Sequence, residues 1–350
     1  MFKKISLVLL CFIFVLACGC KKAPEALSVD RDDDPSVPQE VVTEPEYSIN
    51  PLTGLKNLTI GKENDRPVAI TINNVAIAQP VQTGLSKADI VYETEVEGGI
   101  TRLVAVFQDI SKVEKIGTVR SARYAFIDLA MGHNAIYVHH GQDSSHAGAH
   151  LRDIDHFVVD KNNGGARISN GLNSEHTLYA YGDGVWKELV NDGFKTKATK
   201  TTPWQNFADE ENPVKLETTA NKVTVPFSAQ YKTTMQYDAE KGAYKRISNG
   251  TERKDYVTKE ALYFKNVFVL NTTIRTYPNC NDGYNHKEVF LKSGEGYYFV
   301  NGTYTPIKWS KGSASNSFEF TLTDGTPLTV NAGNSWVCIS DMTRSKPVIE

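Results

Sequence analysis

Two short turns near the carboxyl end constrain the fold of this chain more than any other feature. Asn301-Gly302 separates a β-branched and aromatic run at 297–300 from a second such run at 303–309. Asp324-Gly325 marks another hairpin by the same signal. Asn-Gly and Asp-Gly supply the positive φ angles that two-residue hairpin turns require. The pattern predicts a mostly antiparallel β-domain over residues 221–350.

The preceding part of the chain mixes strand and helix patterns. Gly98-Gly99 is predicted as the two-residue loop of a further hairpin. Ser121 is predicted as the N-cap of the helix that follows. The predicted elements are strands at 68–72, 89–96, 100–107, 115–119 and 135–138, and helices at 122–131 and 183–190. The fold class expected is therefore α+β, with a mixed α/β domain at 51–200, a junction at 201–220 and the β-rich domain at 221–350.

The amino terminus has the pattern of a secretory signal. Lys3 and Lys4 precede an almost uninterrupted apolar run at 5–16, which is shorter than the roughly 20 residues that span a bilayer. Small residues then precede Cys18 and Cys20, as in the lipobox of bacterial lipoproteins. We expect residues 1–17 to be removed and Cys18 to carry the lipid. Cys20 and a plain cleaved signal are the alternatives.

Residues 18–50 are predicted to be a disordered tether. They contain four prolines and the acidic run Asp30, Asp32, Asp33 and Asp34, with few large apolar side chains to form a core. The whole chain has a formal net charge of −3, and this near-neutral balance argues against nucleic acid as a partner. The expected location is extracytoplasmic, with the membrane as partner through the lipid.

Acidic residues on the first predicted hairpin form one candidate site. With Gly98-Gly99 as the loop, Glu93, Glu95 and Glu97 share one face and Glu95 lies opposite Arg102. Such a patch could hold a cation or supply a general acid or base. The alternative is a solvated sheet face with one cross-strand ion pair.

A second candidate is the segment Arg120-Ser121-Ala122-Arg123, where a strand passes into a helix. The unpaired N–H groups of a helix start and two guanidinium groups favour an anion pocket for phosphate, carboxylate or sulfate. In the alternative, the arginines bind the hairpin glutamates and hold sheet and helix together. Ser121 as a nucleophile is disfavoured because the Gly-x-Ser-x-Gly pattern is absent.

Histidines are concentrated in one region, since seven of the eight lie between residues 133 and 176. His139 and His140 end a predicted strand and are candidates for a general base. His146 and His150 have the spacing of helical metal ligands, but the Glu of His-Glu-x-x-His is absent. We expect most of these histidines to be hydrogen-bonding and surface residues, and we predict no metal and no cofactor.

Several motifs together resemble the YerB-like lipoprotein family of Gram-positive bacteria, whose domains have no described function. The motifs are Pro51-Leu52-Thr53-Gly54-Leu55, Arg66-Pro67-Val68-Ala69 with Asn73-Asn74, residues 84–91, Glu97-Gly98-Gly99-Ile100-Thr101-Arg102, residues 119–123 and Val138-His139-His140-Gly141. His176 stands at the position of a later histidine of the family. The resemblance implies a lipid-anchored, two-domain envelope protein and no reaction.

Three functions are compatible with these features. The first is a binding module that takes an anionic cell-wall polymer or an envelope protein, with Asn73, Asn74, Arg102, Arg120, Ser121, Arg123 and His176 as ligand-binding residues. The second is a hydrolase or transferase acting on an anionic wall glycan or peptide, with Glu95, Glu97, His139 and His140 as acid–base residues. The third is a lipoprotein chaperone. We rank them in that order.

Overall fold

Strands dominate the computed structural model of the chain, which describes residues 46–280 and 283–350. The predicted signal peptide, Cys18 and residues 18–45 of the predicted tether lie outside the described residues. Residues 46–50, which were also predicted to belong to the tether, are described and contain the strand Tyr47–Ile49, so the folded body begins before the predicted limit. Residues 46–350 cluster into one compact unit. None of the helices in the described part is long and apolar enough to cross a membrane.

The elements up to residue 191 include the three α-helices of the described chain. The strands are β1 Tyr47–Ile49, β2 Lys56–Thr59, β3 Val68–Asn73, β4 Ile90–Glu95, β5 Thr101–Phe107, β6 Ile116–Gly117, β7 Ile136–His139, β8 His156–Val158, β9 Gly165–Arg167 and β10 Leu178–Ala180. The helices are α1 Tyr124–Met131, α2 Ala147–His150 and α3 Gly182–Asn191.

The remaining elements are all strands. They are β11 Asn206–Phe207, β12 Thr218–Thr219, β13 Lys222–Pro226, β14 Lys232–Asp238, β15 Ala243–Ser248, β16 Thr251–Glu252, β17 Tyr263–Phe264, β18 Asn266–Asn271, β19 Ile274–Thr276, β20 Lys287–Val289, β21 Ser293–Val300, β22 Thr303–Ser310, β23 Glu319–Leu322, β24 Thr329–Val330, β25 Ser335–Ser340 and β26 Val348–Ile349.

One sheet of 11 strands contains strands from both parts of the sequence, the part before residue 200 and the part after it. Its order is β12-β22-β21-β18-β25-β4-β5-β3-β7-β8, with β23 beside β22. The late strand β25 pairs in parallel with both β18 and the early strand β4. The domain limits 51–200, 201–220 and 221–350 remain predictions, since this sheet is continuous across them.

Both faces of the central strands are covered. Every residue of β3, β4, β5 and β25 is buried, and alternate residues belong to two separate hydrophobic cores. Long apolar runs such as Trp336–Ile339 are typical of strands that are buried on both sides. The described chain is thus mostly β, and the mixed α/β character predicted for residues 51–200 is not confirmed.

The hairpin at Asn301-Gly302 forms as predicted. Val300 pairs with Thr303, and φ is 52° at Asn301 and 72° at Gly302. The hairpin at Gly98-Gly99 differs, because its loop has three residues and the amide of Val96 donates to the carbonyl of Ile100.

This third loop residue shifts the register of the first hairpin by one position. Glu95 therefore lies opposite Thr101, and Arg102 lies opposite Thr94. Since a shift of one residue moves a side chain to the other face, Glu95 and Arg102 point to opposite sides of the sheet. The predicted cross-strand pair between Glu95 and Arg102 was wrong.

Helix α1, predicted at residues 122–131, also begins later than predicted. Arg123 is the N-cap residue of α1, and Ser121 does not cap it. The reason is a short bridge, because the amide of Ala122 donates to the carbonyl of Gly141. Residues 121–122 thus remain extended and the backbone turns helical only at Tyr124.

A buried polar network joins the two parts of the sequence. The carboxylate of Glu93 accepts hydrogen bonds from Asn74 at 3.0 Å, Thr101 at 2.8 Å and Thr233 at 2.8 Å. The amide oxygen of Asn74 accepts from Arg246 at 2.9 Å. Arg246 is fully buried and stacks on Trp336 at 4.6 Å. Asn74 thus links a buried anion to a buried cation.

The two cysteines of the described residues do not form a disulfide. Cys338 is buried in β25 and Cys280 is half-buried, and both are free thiols. Burial raises the pKa of the Cys338 thiol well above its usual value.

We predict that Arg246→Met lowers the free energy of unfolding by about 3 kcal/mol, because Glu93 would then be buried without its compensating cation. The double variant Glu93→Met/Arg246→Met should recover at least half of this loss. Urea unfolding of the two single variants and the double variant measures the coupling. Additive losses in the double variant would show that the two charges do not depend on each other.

Candidate functional site

Three arginines converge on one cleft of about 620 Å³. Arg102 comes from β5, and Arg120 and Arg123 come from the extended segment before α1. Residues 283–286, which precede β20 in the sequence, also line this cleft. We call this the arginine cleft.

Glu97 holds two of these arginines. Arg123 donates from Nε to Oε2 of Glu97 at 2.8 Å and from Nη2 to Oε1, and Arg102 Nη2 lies 3.4 Å from the same Oε1. Burial alone would raise the pKa of Glu97, but the hydrogen bonds and charges of the two arginines outweigh it and lower the pKa to about 2. Glu97 is therefore a carboxylate at neutral pH.

Arg102 is the most deeply buried of the three arginines, with 2% of its surface exposed. Its Nη1 donates to the carbonyl of Ser121 at 3.0 Å. Burial, together with the charges of Arg123 and Arg120, lowers the pKa of Arg102 to about 9. Burial is the main cause, since the loss of water disfavours the charged form of Arg102, and an added anion close to the guanidinium would stabilise that form.

Arg120 has a weaker partner than its neighbours. Its Nη1 and Nη2 donate to the carbonyl oxygen and the carboxylate of Glu175, at 3.0 and 3.1 Å. The Glu175 side chain is 55% exposed, so water competes for this ion pair. The buried Nε of Arg120 has no hydrogen-bond acceptor among the described residues.

His286 enters the cleft from the second part of the sequence. Its Nδ1 lies 3.5 Å from Glu97 and its Nε2 lies 3.8 Å from Asp143. The Asp143 carboxylate also accepts from the backbone amides of Ser145, His146 and Ala147. His286 was not among the predicted site residues, because it is the one histidine outside the cluster at 133–176.

Glu95 does not reach the cleft. Its carboxylate forms ion pairs with Lys287 at 3.3 Å and Arg344 at 2.5 Å, on the face of the sheet opposite Arg102. The register shift of the hairpin is the reason, since it moves Glu95 away from the arginines.

His139 and His140 also lie outside the cleft lining. His139 bonds the carbonyl of Gly141 at 2.7 Å and the ring of His156 at 3.1 Å. Burial lowers the pKa of His139 to about 4, so it is neutral at pH 7. His140 bonds the carbonyl of Val159 and Arg167. The structure therefore does not bring these histidines together with Glu97.

Asn73, Asn74 and His176 have internal partners. Asn73 bonds the Nδ1 of His176 at 2.9 Å. His176 lies 3.7 Å from Glu175, the residue that pairs with Arg120. Asn74 belongs to the buried network with Glu93. Of the predicted ligand-binding residues, Arg102, Arg120, Ser121 and Arg123 line the cleft and these three do not.

The histidines with metal-ligand spacing do not converge. His150 bonds Asp128 at 2.6 Å and Asp153 at 2.9 Å, while His146 stacks on Tyr277. Within residues 46–280 and 283–350, no group of three or more histidine, cysteine or acidic side chains is placed to hold a metal ion.

Comparison with known proteins identifies the family. Residues 52–195 match the N-terminal domain, and residues 223–337 the C-terminal domain, of a family described as "Protein of unknown function (DUF3048)". The chain belongs to this family. It is 29% identical to "Putative lipoprotein YerB" of Bacillus subtilis, over 96% of this chain and 95% of that protein.

A solved structure shares the fold. The crystal structure of the YerB protein from Bacillus subtilis has a TM-score of 0.72 and 28% identity, and it covers 86% of this chain and 98% of that one. The resemblance to the YerB-like family is confirmed, and the two-domain architecture agrees with that structure.

We predict that Glu97→Gln lowers the free energy of unfolding by about 2–3 kcal/mol at pH 7. Because folding depresses the pKa of Glu97, its contribution is present above its ordinary pKa near 4.5 and is lost as the pH falls toward 2. Urea unfolding at pH 7, 5 and 3 should show the difference between wild type and variant shrinking with acidity. If the difference in the free energy of unfolding between wild type and variant is the same at pH 3 and pH 7, the stabilisation does not come from the ionised Glu97 side chain.

Proposed function

We propose that this protein is a lipid-anchored envelope protein, located outside the cytoplasm, that binds an anionic cell-wall polymer in the arginine cleft. The predicted lipobox at Cys18 and the lipoprotein name of the Bacillus relative support the location. An envelope protein with an acidic surface is the alternative ligand.

The convergence of Arg102, Arg120 and Arg123 carries the proposal. Guanidinium groups bind phosphate and carboxylate through paired hydrogen bonds, which makes arginine the preferred residue for such ligands. Among the three arginines, Arg120 can exchange its carboxylate partner for a ligand anion, because that partner, Glu175, is largely exposed. A polymer phosphate or carboxylate would replace that carboxylate and also approach the buried charge of Arg102.

The acid–base alternative has less support. A general acid must carry a proton, and the pKa of Glu97 near 2 leaves it without one at neutral pH. Glu95 and His139 are each engaged elsewhere, with Arg344 and His156 among their partners. We therefore rank binding above hydrolysis or transfer.

We predict that Arg120→Gln weakens binding of a purified teichoic-acid-type polymer roughly tenfold, as expected for the loss of a charge-assisted hydrogen bond. Titration calorimetry at two salt concentrations measures the effect, and wild-type binding should weaken as salt increases. Arg152→Gln is the matched control, because Arg152 is exposed and lies outside the cleft lining. No binding by wild type, or equal binding by both variants, would contradict the proposal.

A further inference from the structure

The first two strands form a small hairpin with two unlike faces. Tyr47 lies opposite Thr59 and Ile49 lies opposite Lys56, and opposed residues share a face of a sheet. The register shifts between Ser48 and Ile49, so the regular alternation of β2 is interrupted between Lys56 and Leu58. These four side chains are all exposed. Leu58 points the other way and is buried in the body. We call the exposed side, defined by Tyr47, Ile49, Lys56 and Thr59, the outer hairpin face.

Three large apolar side chains are exposed on or near the outer hairpin face. Tyr47 is 44% exposed and Ile49 is 61% exposed, and the nearby Ile60 is 58% exposed. Single exposed apolar residues are common on soluble proteins, but these three occur within 14 residues of sequence. Tyrosine beside aliphatic residues is typical of segments that lie in the interfacial region of a bilayer.

Lysines accompany the apolar side chains. Lys56 is part of the outer hairpin face, and the exposed Lys87 and Lys112 line a groove of about 390 Å³ together with Tyr47. The groove also contains two carboxylates: Asp109 pairs with Lys62, and Asp89 accepts hydrogen bonds from Asn50 and from the amide of Gln108. Basic side chains in such a position attract anionic lipid headgroups.

The position of the hairpin in the sequence favours the membrane as its partner. The described body begins at residue 46, immediately before Tyr47. The 45 residues that precede it include the apolar run 5–16 and Cys18, the residue predicted to carry the lipid. Of the folded body, this hairpin therefore follows the membrane-held terminus most closely along the chain.

We propose that the outer hairpin face, together with Lys87 and Lys112, docks on the anionic headgroup region of the membrane. A lipid chain and a basic, apolar surface are two weak signals that combine into stable attachment. The contact also orients the body relative to the bilayer. This proposal goes beyond polymer binding and does not require the arginine cleft to bind anything.

Vesicle co-sedimentation of the chain from residue 21 onward tests this docking, because it keeps the whole compact unit and lacks both candidate lipidation cysteines. The probe is large vesicles of phosphatidylglycerol and phosphatidylcholine, with phosphatidylcholine alone for comparison. We expect binding to the anionic vesicles, and at least ~3-fold weaker binding for Ile49→Ser and for Lys56→Gln.

Val348→Ser is the matched control, since Val348 is 54% exposed on β26 and lies outside the hairpin. It should bind vesicles as wild type does. Thermal melting confirms that each variant is folded, and both hairpin substitutions are at exposed positions. Absence of wild-type binding to anionic vesicles, or an equal loss in the Val348→Ser control, would overturn the proposal.

Discussion

Burial on both faces of the central sheet is the constraint from which the rest of the structure follows. Strands β4 and β5 carry three charged side chains, Glu93, Glu95 and Arg102, and each is at most 3% exposed. An unpaired buried charge costs several kcal/mol, so each of these groups must have partners. Glu93 belongs to the hydrogen-bonded network of Asn74 and Arg246. Glu95 forms ion pairs with Lys287 and Arg344. Arg102 forms an ion pair with Glu97. The partners come from both parts of the sequence, which ties those parts into one body.

Much of the strand pattern could be predicted from local signals. The run at 68–72 and the hairpin at Asn301-Gly302 follow from β-branched residues and turn chemistry that act within a few positions. The register around Gly98-Gly99 could not be fixed in this way, because two- and three-residue loops are both compatible with two glycines. The parallel pairing of β4 with β25 joins residues more than 240 positions apart, and no local signal encodes it.

The candidate site could likewise be predicted only in part, from the residues that belong to local motifs. Arg120 and Arg123 stand in a recognisable motif, and the structure places both beside Arg102 in one cleft. Glu97 reaches them because it lies in the loop, whereas the one-residue register shift sends Glu95 to the other face. His286 depends on long-range pairing and could not have been found from spacing. The interpretation that hairpin glutamates pair with the arginines is correct for Glu97, whereas Arg120 pairs with the largely exposed Glu175, which does not belong to the hairpin.

Binding of an anion in the arginine cleft, at Arg120, is the central claim, and a crystal structure grown with a short glycerol-phosphate oligomer tests it most directly. The account predicts a phosphate in the arginine cleft, hydrogen-bonded to Arg120, with Glu175 displaced toward solvent. A phosphate bound elsewhere on the protein, with Arg120 still paired to Glu175, would contradict it.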